Sequence, residues 1–114
     1  MRNSGKASFL RVASAAFFAA GFAGAAAAET YTLTIKDHRF DPAELRIPAD
    51  KAATLVVKNL DATPEEFESK PLRIEKVVPA NSEATFQIRA LKAGRYKFFG
   101  EFHEDSAKGE IVAE

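Results

Sequence analysis

The stretch GRYKFFGEFHEDSAKGEIVAE, residues 94–114, decides the expected fold. Its first part alternates polar and large apolar residues, and this places Tyr96 and Phe98 on one face, as in a half-buried β-strand. Its last part, GEIVAE, reads as a closing strand. Between the two strands lie His103 and several acidic residues. The segment therefore predicts two neighbouring strands joined by a polar connection that carries candidate metal ligands.

Strand signals continue upstream of this segment. Short alternating runs are separated by turn residues, and no amphipathic helix of useful length is present; the runs are TYTLTIK, ELRIPAD, ATLVVKN, LRIEKVV and EATFQIRAL. Residues 91–96, LKAGRY, resemble a tyrosine corner, in which Tyr96 would hydrogen-bond back across a Greek-key crossing. About seven short strands with turn signals at this spacing are typical of an antiparallel sandwich. The expected fold class is all-β, a small Greek-key β-sandwich.

The N-terminal region has the features of a secretory signal. Positive residues precede an Ala/Phe-rich apolar run, and small residues that fit an A-x-A cleavage site follow it. A membrane anchor is the alternative, but the apolar run is short and has no positive stop-transfer flank. We expect residues 1–28 to be a signal peptide and residues 29–114 to be one periplasmic domain, with no stable membrane insertion after cleavage.

Charge and composition narrow the function classes. The chain has 16 Lys and Arg against 16 Asp and Glu, and the first 28 residues contain three positive and no negative charges, so residues 29–114 carry 13 against 16. Nucleic-acid binding is not expected, because phosphate contacts need a basic excess. The chain contains no cysteine, and Met1 is its only methionine. The metal ligands available in the domain are therefore imidazole and carboxylate.

Two segments interrupt the alternation and carry most of the candidate ligands. One is NLDATPEEFES, residues 59–69, and the other is GEFHED, residues 100–105, in which Glu101 and His103 lie close together. If Phe67 points inward, its neighbours Glu66 and Glu68 point the other way and can face a metal ion. The competing interpretation is that TPEE is a capping box with proline at the first helical position, so that Glu66 only closes a short helical turn.

The second histidine lies in a different loop, KDHRFDP, between the first two predicted strands. His38 is either a further ligand or a solvated loop histidine, while Asp37 and Asp41 are expected to form turns. If the oxygen and imidazole donors converge, they suit Fe(II), Fe(III), Mn(II) and Cu(II) and suit Cu(I) poorly. The alternative for the whole site is a set of solvated acidic loops.

The order of these parts resembles the cupredoxins over essentially all of residues 29–114. On that pattern Gly100 stands at the copper-binding cysteine, His103 at the second histidine and Ala107 at the methionine, and Glu66 or Glu68 falls where the first histidine is expected. A type 1 blue copper centre needs two histidines and a cysteine thiolate in a trigonal set. The resemblance therefore extends to the fold and excludes blue-copper electron transfer.

A narrower resemblance involves three motifs: DHRFDP at residues 37–42, the whole of residues 59–69, and FGEFH at residues 99–103. Together they are similar to the EfeO-type cupredoxin-like family, above all to the small free-standing periplasmic members that accompany Ftr-type iron permeases. The resemblance implies a role in ferrous-iron uptake, with Fe(II) bound and copper as redox partner. Some members of the wider group carry cysteines at positions that correspond to Phe40 and Gly100, and this chain does not.

These observations predict a periplasmic protein that binds iron, Cu(II) or both through five residues, His103, Glu66, Glu68, Glu101 and His38. It would support ferrous-iron uptake either as a ferroxidase-type redox component or as a carrier that delivers iron to a permease. An alternative of a different class is a metal-free module that docks a permease or partner protein through its acidic loops. A copper-resistance protein is disfavoured because the domain lacks cysteine and methionine.

Overall fold

The computed structural model describes residues 28–114, so residues 1–27 of the expected signal peptide lie outside the described part. Within it, nine β-strands form two sheets, and one short 3-10 turn, Glu101–His103, follows the eighth strand. The strands are β1 Glu29–Lys36, β2 Arg39–Asp41, β3 Glu44–Ile47, β4 Ala53–Asn59, β5 Glu65–Ser69, β6 Ile74–Val78, β7 Ser82–Ile88, β8 Gly94–Gly100 and β9 Lys108–Ala113. From residue 28 onward, no helix has the length and apolar character needed to cross a membrane.

The two sheets pack face to face and confirm the predicted all-β sandwich. The four-stranded sheet has the order β2-β1-β4-β7, and the five-stranded sheet has the order β3-β9-β8-β5-β6. The strand pattern was typical of an antiparallel sandwich, and two strand pairs differ from that expectation, because β1 pairs with β4 and β3 pairs with β9 in parallel. Alternation shows which face of a strand is buried, and it carries no information about the direction of the neighbouring strand.

The core lies between the sheets and is built from the inward residues that the alternation predicts. Phe67 on β5 is completely buried, and Phe98 on β8 is 1% exposed. Their ring centroids lie 5.3 Å apart, and Phe40 and Phe86 pack against Phe67 at 5.8 Å and 5.3 Å. Such tilted and edge-to-face contacts stabilise aromatic clusters beyond the area they bury.

The tyrosine corner is present. The hydroxyl of Tyr96 donates a hydrogen bond of 2.7 Å to the backbone carbonyl of Lys92, four residues upstream. This contact fixes the chain where it enters β8, the strand that leads directly to Gly100 and the 3-10 turn.

The segment EEFES, residues 65–69, forms a strand with Phe67 inward and Glu66 and Glu68 outward, as one interpretation of the sequence predicted, and does not form the competing helical turn. Glu65 begins strand β5, which pairs with β6 on one side and with β8 on the other. Thr63 and Pro64 therefore do not start a helix, and Glu66 does not act as a helix cap. The reason is tertiary: Phe67 is completely buried when the segment is extended between two strands, and this burial outweighs the local helical signal.

A buried asparagine organises the loops at the end of the sandwich that carries the candidate ligands. Asn59, the last residue of β4, is 1% exposed. Its Nδ2 donates to the carbonyls of Thr63 at 2.9 Å and Val78 at 3.1 Å, and its Oδ1 accepts the N–H of Asp61 at 3.0 Å. Because the buried amide group is satisfied on both sides, it links the β4–β5 connection to the end of β6.

Asp61 then fixes the loop that carries His38. Its carboxylate accepts the backbone N–H groups of Asp37 at 2.7 Å and His38 at 2.9 Å. Burial acts to raise the pKa of Asp61, but the two backbone hydrogen bonds and the electrostatic effect of the nearby histidines outweigh it, so the pKa is lowered. Asp37 and His38 both have positive φ, 53° and 60°, a conformation that non-glycine residues adopt only when their surroundings hold them there.

Candidate metal centre

Strand β5 separates the candidate ligands into two groups. Glu65, Phe67 and Ser69 point into the sandwich and are at most 1% exposed, whereas Glu66 and Glu68 are half-buried on the outer face of the five-stranded sheet. The predicted carboxylates therefore lie on the outer face, and the histidines lie with Glu65 at the end of the core. The structure does not bring all five predicted residues to one point.

The outer group is an acidic quartet made of Glu66, Glu68, Glu75 and Glu101. Each offers one carboxylate oxygen, and these four oxygens lie within 4.8 Å of one another. Glu101 reaches the group from the 3-10 turn, and Glu75 lies directly opposite Glu68 on β6. Three of the four were predicted from the sequence. Glu75 was missed, because its place depends on the register of the β5–β6 hairpin.

Crowding of the four carboxylates raises the pKa of two of them. A side-chain hydrogen bond that protonated Glu66 donates to Glu101, together with partial desolvation and the charges of its neighbours, raises the pKa of Glu66 from 4.5 to about 7. Desolvation and then the charges of Glu75 and Glu101 raise the pKa of Glu68. Like charges held close together favour the protonated form of one member, and a bound cation would remove the repulsion.

The raised pKa of Glu66 makes the stability of the metal-free protein depend on pH. In the unfolded chain this carboxyl loses its proton near 4.5, whereas in the folded protein it keeps the proton up to about pH 7. Within that window the folded state binds the additional proton, so the free energy of unfolding falls as pH rises. We expect this fall in urea-unfolding midpoints and expect Glu66→Gln to remove most of it. Identical pH profiles for the two proteins would contradict the prediction.

The inner group contains both histidines of the chain. The imidazole rings of His38 and His103 stack with their centroids 3.5 Å apart and their planes at 11°. The Ser106 hydroxyl donates a 2.7 Å hydrogen bond to the backbone carbonyl of His38, which ties the two loops together. His38 is therefore neither isolated nor fully solvated, and its ring lies flat against that of His103.

A buried carboxylate completes the inner group. The side chain of Glu65 is 1% exposed, and its Oε1 lies 2.5 Å from Nδ1 of His103. Its Oε2 accepts the backbone N–H of Phe102 at 2.8 Å and that of Glu66 at 3.1 Å. Glu65 was not among the ligands predicted from the sequence. The alternation that turns Phe67 inward also turns Glu65 inward, so the sequence did contain a pattern that indicates the inward position of Glu65.

Gly100 leaves the space that the Glu65 carboxylate occupies. A Cβ at position 100 would lie 2.6 Å from Cδ of Glu65 and 2.8 Å from Cβ of Ala107, closer than van der Waals contact allows. Gly100→Ala is therefore expected to lower the free energy of unfolding by about 1–3 kcal/mol, as overpacking does. Urea denaturation measures this, and a loss below about 0.5 kcal/mol would show that the site accommodates the methyl group.

His103 opens onto a surface cleft of about 410 Å³ lined by residues 101–106. Its side chain is 27% exposed, and Glu101, Glu104 and Asp105 supply carboxylates around it. Two large apolar side chains are also exposed at this end of the sandwich, Phe102 at 49% and Leu60 at 54%. The cleft therefore combines one imidazole, several carboxylates and one exposed aromatic side chain, that of Phe102.

Residues 9–113 match a protein family described as a cupredoxin-like domain. An uncharacterized protein of Rickettsia prowazekii (strain Madrid E) is 41% identical over 80 residues, which cover 70% of this chain; the chain spans 64% of the length of that relative.

Solved structures share the fold at low sequence identity. Auracyanin A, a blue copper protein from Chloroflexus aurantiacus, aligns with a TM-score of 0.63 and 15% identity over 75% of this chain and 98% of its own. Amicyanin from Paracoccus versutus aligns with a TM-score of 0.60 and 18% identity over 81% of this chain and 88% of its own.

Proposed function

Because this chain belongs to the cupredoxin-like domain family but has no cysteine for a blue copper centre, we propose that it binds iron through its acidic quartet and supports ferrous-iron uptake. The observation that carries the proposal is the convergence of four carboxylate oxygens within 4.8 Å of one another. Carboxylates are hard donors and fit Fe(II) and Fe(III) well. Several of them on one face, with a raised pKa at Glu66, form a site that a cation would stabilise.

The charge of the quartet favours the ferric state. Anionic ligands stabilise Fe(III) more than Fe(II), because the attraction grows with the charge of the ion. Fe(II) bound here is therefore easier to oxidise: it loses one electron to oxygen or to Cu(II), and Fe(III) stays with the carboxylates. Cu(II) also binds carboxylate and imidazole sites more tightly than Fe(II) does, so copper binding in vitro is expected alongside iron binding.

The proposed role in iron uptake comes from the sequence motifs. Three members of the quartet, Glu66, Glu68 and Glu101, belong to the segments that resemble the EfeO-type cupredoxin-like family. In this proposal the protein acts in the periplasm, after removal of a signal peptide, beside an Ftr-type iron permease. It either oxidises Fe(II) as a ferroxidase-type component or passes iron to the permease as a carrier.

Anaerobic titration of the protein with Fe(II), followed by addition of oxygen or Cu(II) while Fe(III) is monitored, tests the proposal. Saturable binding with accelerated Fe(III) formation supports the ferroxidase role, and saturable binding at the uncatalysed oxidation rate supports the carrier role. Affinity should rise between about pH 6 and about pH 8, because the metal ion must displace the proton of Glu66. Absence of saturable Fe(II) binding would reject iron binding.

The exposed apolar residues support a second candidate, a metal-free module that docks a permease or partner protein. Phe102 and Leu60 are both about half exposed, and Phe102 follows Glu101 of the acidic quartet in the chain. Exposed aromatic side chains among charged residues are common in protein interfaces. This candidate predicts binding to the partner with the same affinity in metal-free and iron-loaded protein, whereas a carrier would bind the two forms differently.

A further inference from the structure

The two ring nitrogens of His103 have different surroundings. Nδ1 faces the buried carboxylate of Glu65 at 2.5 Å, and the imidazole side chain is 27% exposed. We propose that Glu65 is a positioning residue that holds the proton on Nδ1 and so makes Nε2 of His103 a metal ligand in the cleft. The proposal rests on the metal-binding function proposed above, but it concerns a nitrogen-donor site distinct from the acidic quartet.

The hydrogen-bond pattern around Glu65 favours one tautomer of His103. Oε2 accepts two backbone N–H groups, and Oε1 faces Nδ1 of His103. In the proposed arrangement Oε1 accepts, as a carboxylate oxygen does, and the proton between Glu65 and His103 is on Nδ1. In the neutral ring the lone pair is then on Nε2. A carboxylate that holds the second nitrogen of a ligating histidine orients the ring and raises its basicity.

The stacked ring of His38 holds the plane of His103 and does not share its metal ion. A nitrogen lone pair lies in the plane of its imidazole, and these two planes are within 11° of parallel with centroids 3.5 Å apart. A metal ion in line with a nitrogen lone pair of His103 would therefore lie out of the ring plane of His38 and could not accept a lone pair from that ring. His38 is itself held by Asp61 and Ser106, so it forms a fixed surface against which the ring of His103 packs.

The remaining donors at the cleft are oxygens. Glu101, Glu104 and Asp105 line it together with His103. One imidazole nitrogen with carboxylates and water suits a divalent ion of borderline hardness, above all Cu(II). The chain then offers an all-oxygen site on the outer face of the sheet and a mixed nitrogen–oxygen site at its end, with Glu101 at the border between them.

The tautomer can be measured directly. Long-range ¹H–¹⁵N NMR spectra of the metal-free protein, recorded at alkaline pH where imidazole is ordinarily neutral, should show the proton of His103 on Nδ1. In Glu65→Gln, the amide oxygen is expected to accept the two backbone N–H groups, so that the amide NH₂ faces Nδ1. That arrangement requires an unprotonated Nδ1 and places the proton on Nε2. Glu83→Gln, an exposed change on β7, should leave the wild-type tautomer unchanged.

Metal binding provides the second measurement, with Cu(II) as the probe. Glu66→Gln/Glu68→Gln serves as the background, because the quartet has then lost two of its carboxylates. One equivalent of Cu(II) should give electron-spin-echo modulation from the remote nitrogen of a coordinated imidazole. Adding Glu65→Gln should lower the affinity of this nitrogen-coupled Cu(II) by about 10- to 100-fold, the usual effect of losing such a partner, while Glu83→Gln should not.

Each outcome has a defined meaning. An Nε2-protonated His103 in the wild type would overturn the proposal even if Glu65→Gln does not fold. Undiminished nitrogen coupling in folded Glu65→Gln would also overturn it. Failure of the quartet to bind iron would leave the tautomer measurement intact, so the two proposals fail separately.

Discussion

Replacing Glu66 and Glu68 together by glutamine is expected to lower the affinity of the protein for Fe(II) and Fe(III) by at least about 100-fold. Two of the four oxygens that converge within 4.8 Å then belong to neutral amides, which are weaker donors and do not offset the charge of the ion. Changes outside the first coordination shell alone typically cost 10- to 100-fold, so loss of two direct ligands should exceed that range. Anaerobic titration of Fe(II), and competition with a chelator for Fe(III), measure the effect.

The matched control is Glu83→Gln/Glu44→Gln, which removes the same number of charges from exposed positions outside the quartet. Its iron affinity should stay within about threefold of the wild type, because solvent and salt screen exposed charges. His103→Ala tests a different group and should retain iron binding by the quartet. Iron affinity that is unchanged in the Glu66/Glu68 double variant would show that iron binds elsewhere or does not bind.

Phe67→Ala is expected to lower the free energy of unfolding by about 3–5 kcal/mol. The side chain is completely buried and contacts three other aromatic rings, those of Phe40, Phe86 and Phe98, so truncation leaves a cavity that the two sheets cannot close. Domains of this size have total stabilities of about 5–15 kcal/mol. The variant should therefore retain only part of its stability, which urea denaturation followed by circular dichroism measures.

Leu60→Ala is the control for Phe67→Ala, because Leu60 is 54% exposed and its truncation should change stability by no more than about 0.5 kcal/mol. A loss below about 1 kcal/mol in Phe67→Ala would show that the aromatic cluster does not dominate the core. Because Phe67 lies between Glu66 and Glu68, its replacement by alanine should also weaken iron binding.

The fold could be predicted well from local alternation, because burial of one face of a strand leaves a period of two in the sequence. The same rule placed Phe67 inward and Glu66 and Glu68 outward, as the structure has them. It applied equally to Glu65, but a carboxylate is rarely buried unless it is paired. Its partner His103 lies 38 residues away, which is beyond the range of any local pattern.

Other parts of the candidate site depend on tertiary geometry that local pattern does not contain. Glu75 joins the quartet only because β5 and β6 pair in a register that sets it opposite Glu68. The stacking of His38 on His103 requires the left-handed loop that Asp61 holds in place. A sequence can suggest which residues are polar and near an edge, whereas pairing register and loop conformation decide which of them meet.

The close approach of Gly100 to Glu65 limits how relatives of this protein can diverge. A side chain at position 100 would overlap with the carboxylate of Glu65, since a Cβ on residue 100 would lie 2.6 Å from the carboxylate carbon of Glu65. A lineage that acquires a thiol or any other side chain at position 100 must shorten residue 65 or move its strand, and the histidine then loses its carboxylate partner. Positions 65 and 100 should therefore covary among homologues, with a long acid beside glycine in one branch and a shorter residue beside a larger one in another.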